Sequence, residues 1–213
     1  NNKLMSKKIS AQLVQLNNRY GNQVYLPYSV GVLETFVKQK EIIRENYHFK
    51  EFIFLREDIS NMVKKVGQVD ILGISCYLWN WKMSLKLAEE VRKKNPNCMI
   101  FLGGPHVPDN IDESFFKLYP FIDMTMHGEG ELTFEETLIK YLNKESLNNI
   151  TGASFYDRNN SKKVYSNKKR ERMKDYSLLP SPYLTGTFEN LFKKYDYNWT
   201  LTWETNRGCP FKC

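Results

Sequence analysis

Two short apolar runs with a helix between them constrain this chain most. Residues 69–75 read Val-Asp-Ile-Leu-Gly-Ile-Ser, and residues 98–102 read Cys-Met-Ile-Phe-Leu. Neither alternates apolar with polar, so each suits a strand covered on both faces, as central strands of parallel sheets are. Each run stops at small residues, Ser75 in one case and Gly103-Gly104-Pro105 in the other. Between them, residues 83–94 put Met83, Leu87 and Val91 on one helical face, and Asn95-Pro96-Asn97 ends the helix. The unit is strand, helix, parallel strand.

The rhythm extends in both directions. Residues 9–16 are strand-like, 20–22 form a turn, and Val30, Leu33, Phe36 and Val37 recur at helical spacing over 30–38. Residues 49–55 form a second strand, and Asp58 caps a short helix ending near Val66. Residues 111–118 form a short helix and 121–126 a fifth strand. Residues 131–142 form a helix with Leu132, Leu138 and Leu142 facing inward. The expected fold class is α/β, a doubly wound five-stranded parallel sheet of flavodoxin-like or Rossmann-like type in the order 2-1-3-4-5. Near residue 148 the rhythm changes. We therefore divide the chain into a domain at 1–147, a linker or extension at 148–198, and the start of a further unit at 199–213. The extension holds one more strand at 150–156 and a stiff Leu179-Pro180-Ser181-Pro182-Tyr183 stretch, and the last part opens with a strand at 199–204.

Composition narrows the class of protein. Hydrophobic residues are 41% and charged residues 26% of 213, a globular balance. No apolar run approaches the roughly 20 residues of a membrane span, and the first eight residues lack a signal-peptide core. A cytosolic protein with no membrane partner is expected. Of the four cysteines, Cys76 and Cys98 sit in apolar runs and read as core residues. The net charge is +7, and seven basic residues crowd into one stretch: Lys162, Lys163, Lys168, Lys169, Arg170, Arg172 and Lys174. We read that stretch as a solvated linker. No nucleic-acid module accompanies it, so nucleic acid is not an expected partner.

Parallel α/β sheets bind ligands beyond the carboxyl ends of their strands. Three loops there have unusual composition: Ser75-Cys76-Tyr77-Leu78-Trp79-Asn80-Trp81, Gly103-Gly104-Pro105-His106-Val107, and His127-Gly128-Glu129-Gly130-Glu131. Neither GxGxxG after the first strand nor GxxxxGK[ST] is present, so these are not phosphate fingerprints. Aromatic side chains and paired glycines suit a broad, flat ligand that backbone can approach closely.

Residues 8–213 resemble cobalamin-dependent radical S-adenosylmethionine enzymes. Cobalamin-binding domains carry a Ser-x-Leu element on one loop and a Gly-Gly pair a little under 30 residues later. Here Ser75 precedes Gly103 by 28 positions, with Tyr77 in place of Leu. Many such domains also carry Asp-x-His-x-x-Gly, whose His ligates cobalt. The matching stretch is Leu26-Pro27-Tyr28-Ser29-Val30-Gly31, which keeps Gly31 but has Tyr28 where the His would be. The resemblance implies cobalamin bound with its dimethylbenzimidazole tail displaced and no His on cobalt. The tail would pass near Ser75 and Gly103-Gly104, while Tyr77, Leu78, Trp79 and Asn80 approach the lower corrin face. The implied cofactor-binding set is Tyr28, Ser29, Gly31, Ser75, Tyr77, Leu78, Trp79, Asn80, Gly103, Gly104, Pro105, His106, His127, Gly128, Glu129 and Gly130. For His106 and His127, a hydrogen bond to the ligand or to loop backbone is expected in preference to cobalt ligation.

The second anchor is Arg207-Gly208-Cys209-Pro210-Phe211-Lys212-Cys213. The resemblance reads Cys209 and Cys213 as the first two thiolates of a CxxxCxxC motif holding a 4Fe–4S cluster that binds S-adenosylmethionine. A third Cys is expected three positions after Cys213, outside these 213 residues. Two thiolates alone cannot hold the cluster securely, so these residues by themselves are expected to be catalytically inactive. The parent would be an enzyme, a methyltransferase acting through methylcobalamin and a 5'-deoxyadenosyl radical. It would draw electrons from a ferredoxin or flavodoxin and act on a substrate that the sequence does not name. Its catalytic residues would lie mostly outside this chain. The alternatives are a non-catalytic cobalamin carrier or sensor, and a flavodoxin-like module unrelated to cobalamin.

Overall fold

A computed structural model describes residues 7–207; Cys209 and Cys213 lie outside the described residues. β1 (Ile9–Asn17) is the hub of an eight-stranded sheet. On one side it pairs in parallel with β4 (Tyr47–Phe49) and β5 (Ile53–Leu55), on the other with β6 (Ile71–Ser75). β7 (Met99–Gly103) and β8 (Met124–Met126) follow in parallel register, with Ser75 opposite Gly103. This is the expected 2-1-3-4-5 order, and residues 69–75 and 98–102 supply its two central strands.

The structure corrects several details. The second strand is not one run over 49–55: residues 50–52 break it, and β4 and β5 pair with different stretches of β1. Asp58 precedes the helix α3 (Ile59–Val66) but makes no side-chain cap. The sheet is also wider than five strands and not wholly parallel. β9 (Ala153–Tyr156) pairs antiparallel with β8, and β10 (Val164–Ser166) antiparallel with β9, so the sheet runs past residue 148. The strand expected at 199–204 is only β11 (Asn198–Thr200). It joins β2 (Arg19–Tyr20) and β3 (Gln23–Tyr25) in a small second sheet.

Alternation along the central strands builds a core on each face. Leu72 and Ile74 of β6 and Ile100 and Leu102 of β7 pack under α3, α4 (Trp81–Lys94) and α5 (Glu113–Leu118). Ile71 and Phe101 point the other way, toward α1 (Tyr28–Val37) and α6 (Glu131–Leu142). On that second face, a Cβ at Gly73 would overlap the Phe101 ring. The buried stripe of α6 is Thr133, Phe134, Thr137 and Leu138. Leu132 and Leu142, expected to face in, are only partly covered.

The stretch after Leu179 is not an extended linker. It turns, and Phe188 is fully buried over Gly31 of α1, where a Cβ would overlap its ring. Phe188 also touches the rings of Phe52 and Tyr183, and Leu191 of α7 (Glu189–Lys194) is buried beside it. Cys76 and Cys98 are buried and unpaired, and burial pushes both thiols up to about 12. Neither is a ready thiolate at neutral pH.

Candidate functional site

A cavity of about 810 Å³ opens at the carboxyl ends of β1, β6, β7 and β8, on the face covered by α1 and α6. Its apolar lining includes Leu13, Gly73, Phe101 and Met126, all buried, with Leu33 partly exposed. Most of the expected site residues meet here. Tyr28, Ser29, Ser75, Tyr77, Gly103, Gly104, Pro105, His127, Gly128, Glu129 and Gly130 all line it.

Hydrogen bonds fix the floor. Ser29 donates its backbone N–H to Gln15 Oε1 at 3.0 Å, and the Ser29 and Ser75 hydroxyls meet at 2.9 Å. That contact ties the start of α1 to the end of β6. Tyr28 stacks on Tyr183, and burial, with the charge of Glu204, raises its phenol pKa above the ordinary value.

The two neighbouring glycines have different roles. A Cβ on Gly103 would find only Met126 Cβ within 4 Å, at 3.8 Å, so its bare Cα leaves room on the cavity side. Gly104 has φ +96°, and a Cβ there would strike the Cys76 carbonyl oxygen at 2.7 Å. Glycine at 104 is therefore a requirement of the turn, not of the ligand.

Five expected residues do not line the cavity. Gly31 is spent on Phe188. Asn80 is buried and acts as a loop clamp: it accepts from Tyr77 N–H at 2.8 Å and donates to the Leu16 and Ser75 carbonyls. His106 packs edge-on against Trp81, 5.2 Å between ring centroids, so Trp81 also has a packing role. Leu78 and Trp79 are 77% and 51% exposed, with Trp79 stacked on Tyr77 at 4.5 Å.

His127 is buried, with Nε2 near the hydroxyls of Thr125 and Ser154 at 3.2 and 3.1 Å. Its Nδ1 makes no well-formed hydrogen bond among the described residues, although the Pro108 carbonyl lies near enough to act on the ring. Burial lowers the pKa of the imidazole, Lys169 acts in the same direction, and Asp109 and the Pro108 carbonyl oppose them.

Sequence reasoning missed the far wall. Lys169, Arg170 and Arg172 of the basic stretch line the cavity, as do Trp203, Glu204 and Arg207. Lys169 bridges to Asp109 at 2.9 Å, and Arg170 pairs with Glu136 on α6. Part of the supposed solvated linker is thus a cavity wall. The clustering of charge was visible in the sequence, but its fold-back was not.

Residues 27–138 match the B12 binding domain family. That span covers more than half the chain, all of α1, and the three strand-end loops that form the cavity. The chain belongs to the B12 binding domain family. It is 34% identical over 193 residues to the 2-(S-pantetheinyl)-carbapenam-3-carboxylate methyltransferase of Streptantibioticus cattleyicolor. Over 193 residues it is 35% identical to the cobalamin-dependent radical SAM methyltransferase TokK of Streptomyces tokunonensis. These matches take in 89% of this chain but only 28% of each relative. Among solved structures, the cobalamin-dependent S-adenosylmethionine radical enzyme OxsB superposes with TM-score 0.69 at 25% identity. That match covers 95% of this chain and 27% of OxsB. The radical S-adenosylmethionine methyltransferase TsrM of Kitasatospora setae shares the fold at TM-score 0.58 and 14% identity.

Two features of this B12-binding chain fit a large ligand rich in amide groups. Gly103 leaves a cradle that any side chain would fill. Two residues that line the cavity, His127 and Glu131, each carry a buried polar atom, Nδ1 and Oε2, with no well-formed hydrogen bond among the described residues; an unsatisfied group of this kind costs about 1–3 kcal/mol until a rearrangement supplies a partner. Among the described residues no group of His, Cys, Asp and Glu is placed to hold a metal ion directly, and no helix is long and apolar enough to cross a membrane.

Proposed function

We propose that this chain is the cobalamin-binding module of a cobalamin-dependent radical S-adenosylmethionine methyltransferase. The observation that carries the reading is the cavity at the strand ends, with its bare Gly103 wall and two unsatisfied polar atoms. In this reading Ser75 and Gly103 would hold the cofactor's tail, with the Ser29 and Ser75 hydroxyls beside it; Gly73 opens no further space, because the Phe101 ring covers it. Tyr77, which lines the cavity and carries Trp79 stacked on it, would be the aromatic side chain offered to the corrin. Tyr28 occupies the place of the usual cobalt-binding His and offers no imidazole. When bound, cobalamin supplies a methyl group carrier, and a 4Fe–4S cluster with S-adenosylmethionine supplies the radical. Cys209 and Cys213 would contribute two of the cluster's thiolates. In this reading the cofactor domain expected at 1–147 would extend through β10, the rest of the extension to 198 would return over the cavity, and a catalytic domain would open from 199. The cytosolic setting and a ferredoxin or flavodoxin donor belong to the same reading.

The test is direct. Protein mixed with hydroxocobalamin and desalted should keep close to one equivalent of the cofactor by its visible absorption. A preparation that loses all colour on desalting would end this reading.

A further inference from the structure

The His127–Glu131 loop does more than line the cavity. Its two glutamates grip the chain that returns from the far side. Glu129 accepts from the Met173 N–H at 2.8 Å and from the Tyr176 hydroxyl at 3.1 Å. Glu131 Oε1 accepts from Arg207 Nη2 at 2.6 Å, and Arg207 Nε donates to Glu204 at 3.0 Å. The Arg207 guanidinium lies over the Tyr176 ring, 5.7 Å from its centre. Burial disfavours the Arg207 charge, yet hydrogen bonding and attraction from Glu131 and Glu204 outweigh it and raise its pKa. The side chains of Glu131 and Arg207 are 4% and 13% exposed, so this is a desolvated pair and not a surface bridge. Arg207 stands two positions before Cys209.

We propose that Glu131 is a positioning residue that couples cobalamin binding to the docking of the segment leading into Cys209. One of its oxygens holds Arg207. The other, Oε2, has no hydrogen-bond partner among the described residues and is closed off from solvent, so a ligand in the cavity reaches it only by displacing what covers it. A corrin ring carries primary carboxamides on its rim, and their N–H groups are the donors this oxygen lacks. A ligand that satisfies Oε2 fixes the carboxylate that holds Arg207, and a docked Arg207 presents that carboxylate to the ligand. By reciprocity each event strengthens the other. This inference rests on the cobalamin reading above.

The experiment uses the whole 213-residue chain and hydroxocobalamin, with hydrogen exchange followed in peptides covering residues 198–207. In the unaltered protein, cobalamin should slow exchange there at least several-fold. Arg207→Gln should raise the Kd for cobalamin about tenfold, within the usual range for coupled sites. It should also abolish the added protection. Glu131→Gln should do both, and the double variant should be no worse than Glu131→Gln alone. Unchanged exchange in the unaltered protein, despite bound cobalamin, would overturn the inference. So would an Arg207→Gln Kd within twofold of the original. If Glu131→Gln fails to fold, Arg207→Gln decides the matter, because it leaves the carboxylate in place. An unaltered protein that binds no cobalamin at all would count against the functional reading itself, a separate outcome.

Discussion

The cavity has two walls of different origin. The strand-end wall, from Ser75, Gly103, Gly104 and His127, is set by the sheet: Ser75 and Gly103 are opposite in register, and Cys76 N–H donates to the Gly103 carbonyl at 2.7 Å. The returning wall, from Lys169 to Arg172 and Thr202 to Arg207, arrives from residues distant in sequence and is held by side-chain pairs such as Lys169–Asp109, Arg170–Glu136 and Arg207–Glu131. Phe188 is its deepest anchor. The first wall should persist when the second is released, and the difference can be tested.

The largest expected effect is on the anchor. Phe188→Ala removes a fully buried ring from over Gly31 and should cost about 3–5 kcal/mol of unfolding free energy, read by chemical denaturation. If the returning wall depends on that ring, protease sensitivity of residues 198–207 should rise as well. Unchanged stability would mean that the extension does not dock as described.

Next come the two glycines of the first wall. Gly104→Val forces a β-branched residue to φ +96° and against Cys76, so the ligand-free protein should lose about 3 kcal/mol or more. Gly103→Val extends an ordinary strand residue into open space. It should leave the ligand-free melting temperature nearly unchanged while weakening cobalamin binding about a hundredfold or more, the equivalent of about 3 kcal/mol of overpacking. Equal stability losses for the two variants would erase the distinction drawn between these neighbours.

These contrasts follow what a sequence can and cannot carry. The apolar runs of β6 and β7 and their small terminal residues announced central strands and a binding rim, because strand identity and strand-end position are local properties. Which glycine faces the ligand was not legible. Gly103 and Gly104 look alike in sequence and differ only in φ and in what stands opposite. Gly31 was read as a ligand-facing residue because its partner, Phe188, lies 157 positions away. The strand at 150–156 is legible, but its joining to the main sheet, the further strand β10 and the folding back of the basic stretch are likewise hidden. All three depend on pairings across the sheet and across the cavity that no local pattern encodes. Trp79 and Trp81 stand two positions apart, yet one is exposed and the other packs on His106 and Tyr119.

A smaller effect concerns His127. Its pKa is lowered in the folded chain by burial, while the unfolded chain should titrate near the ordinary value of about 6.5. Below that pH the unfolded state binds the proton first, so stability falls as the pH drops through about 6.5 and levels off below the folded value. The slope cannot exceed about 1.4 kcal/mol per pH unit, the limit for one proton. Comparing His127→Gln with the unaltered chain by denaturation at pH 7.5 and pH 5.5 isolates this contribution. The variant should lose less stability on acidification. An identical loss in both proteins would mean that His127 is not held neutral by its surroundings.

The smallest effect should come from the rim of the returning wall. Lys169 is largely exposed, and its bridge to Asp109 is of the surface kind, worth at most about 1 kcal/mol. Lys169→Gln should therefore leave folding almost untouched. Its effect on cobalamin should be no more than a few-fold, and the part arising from charge should fade at high salt, since exposed charges are screened within about 10 Å at 0.1 M. Gly103→Val, by contrast, acts by steric exclusion and should be indifferent to salt. Titrating both variants with hydroxocobalamin at low and high ionic strength separates the two walls by mechanism. A salt-independent loss in Lys169→Gln would move Lys169 from the rim into direct contact with the ligand and make the second wall as specific as the first.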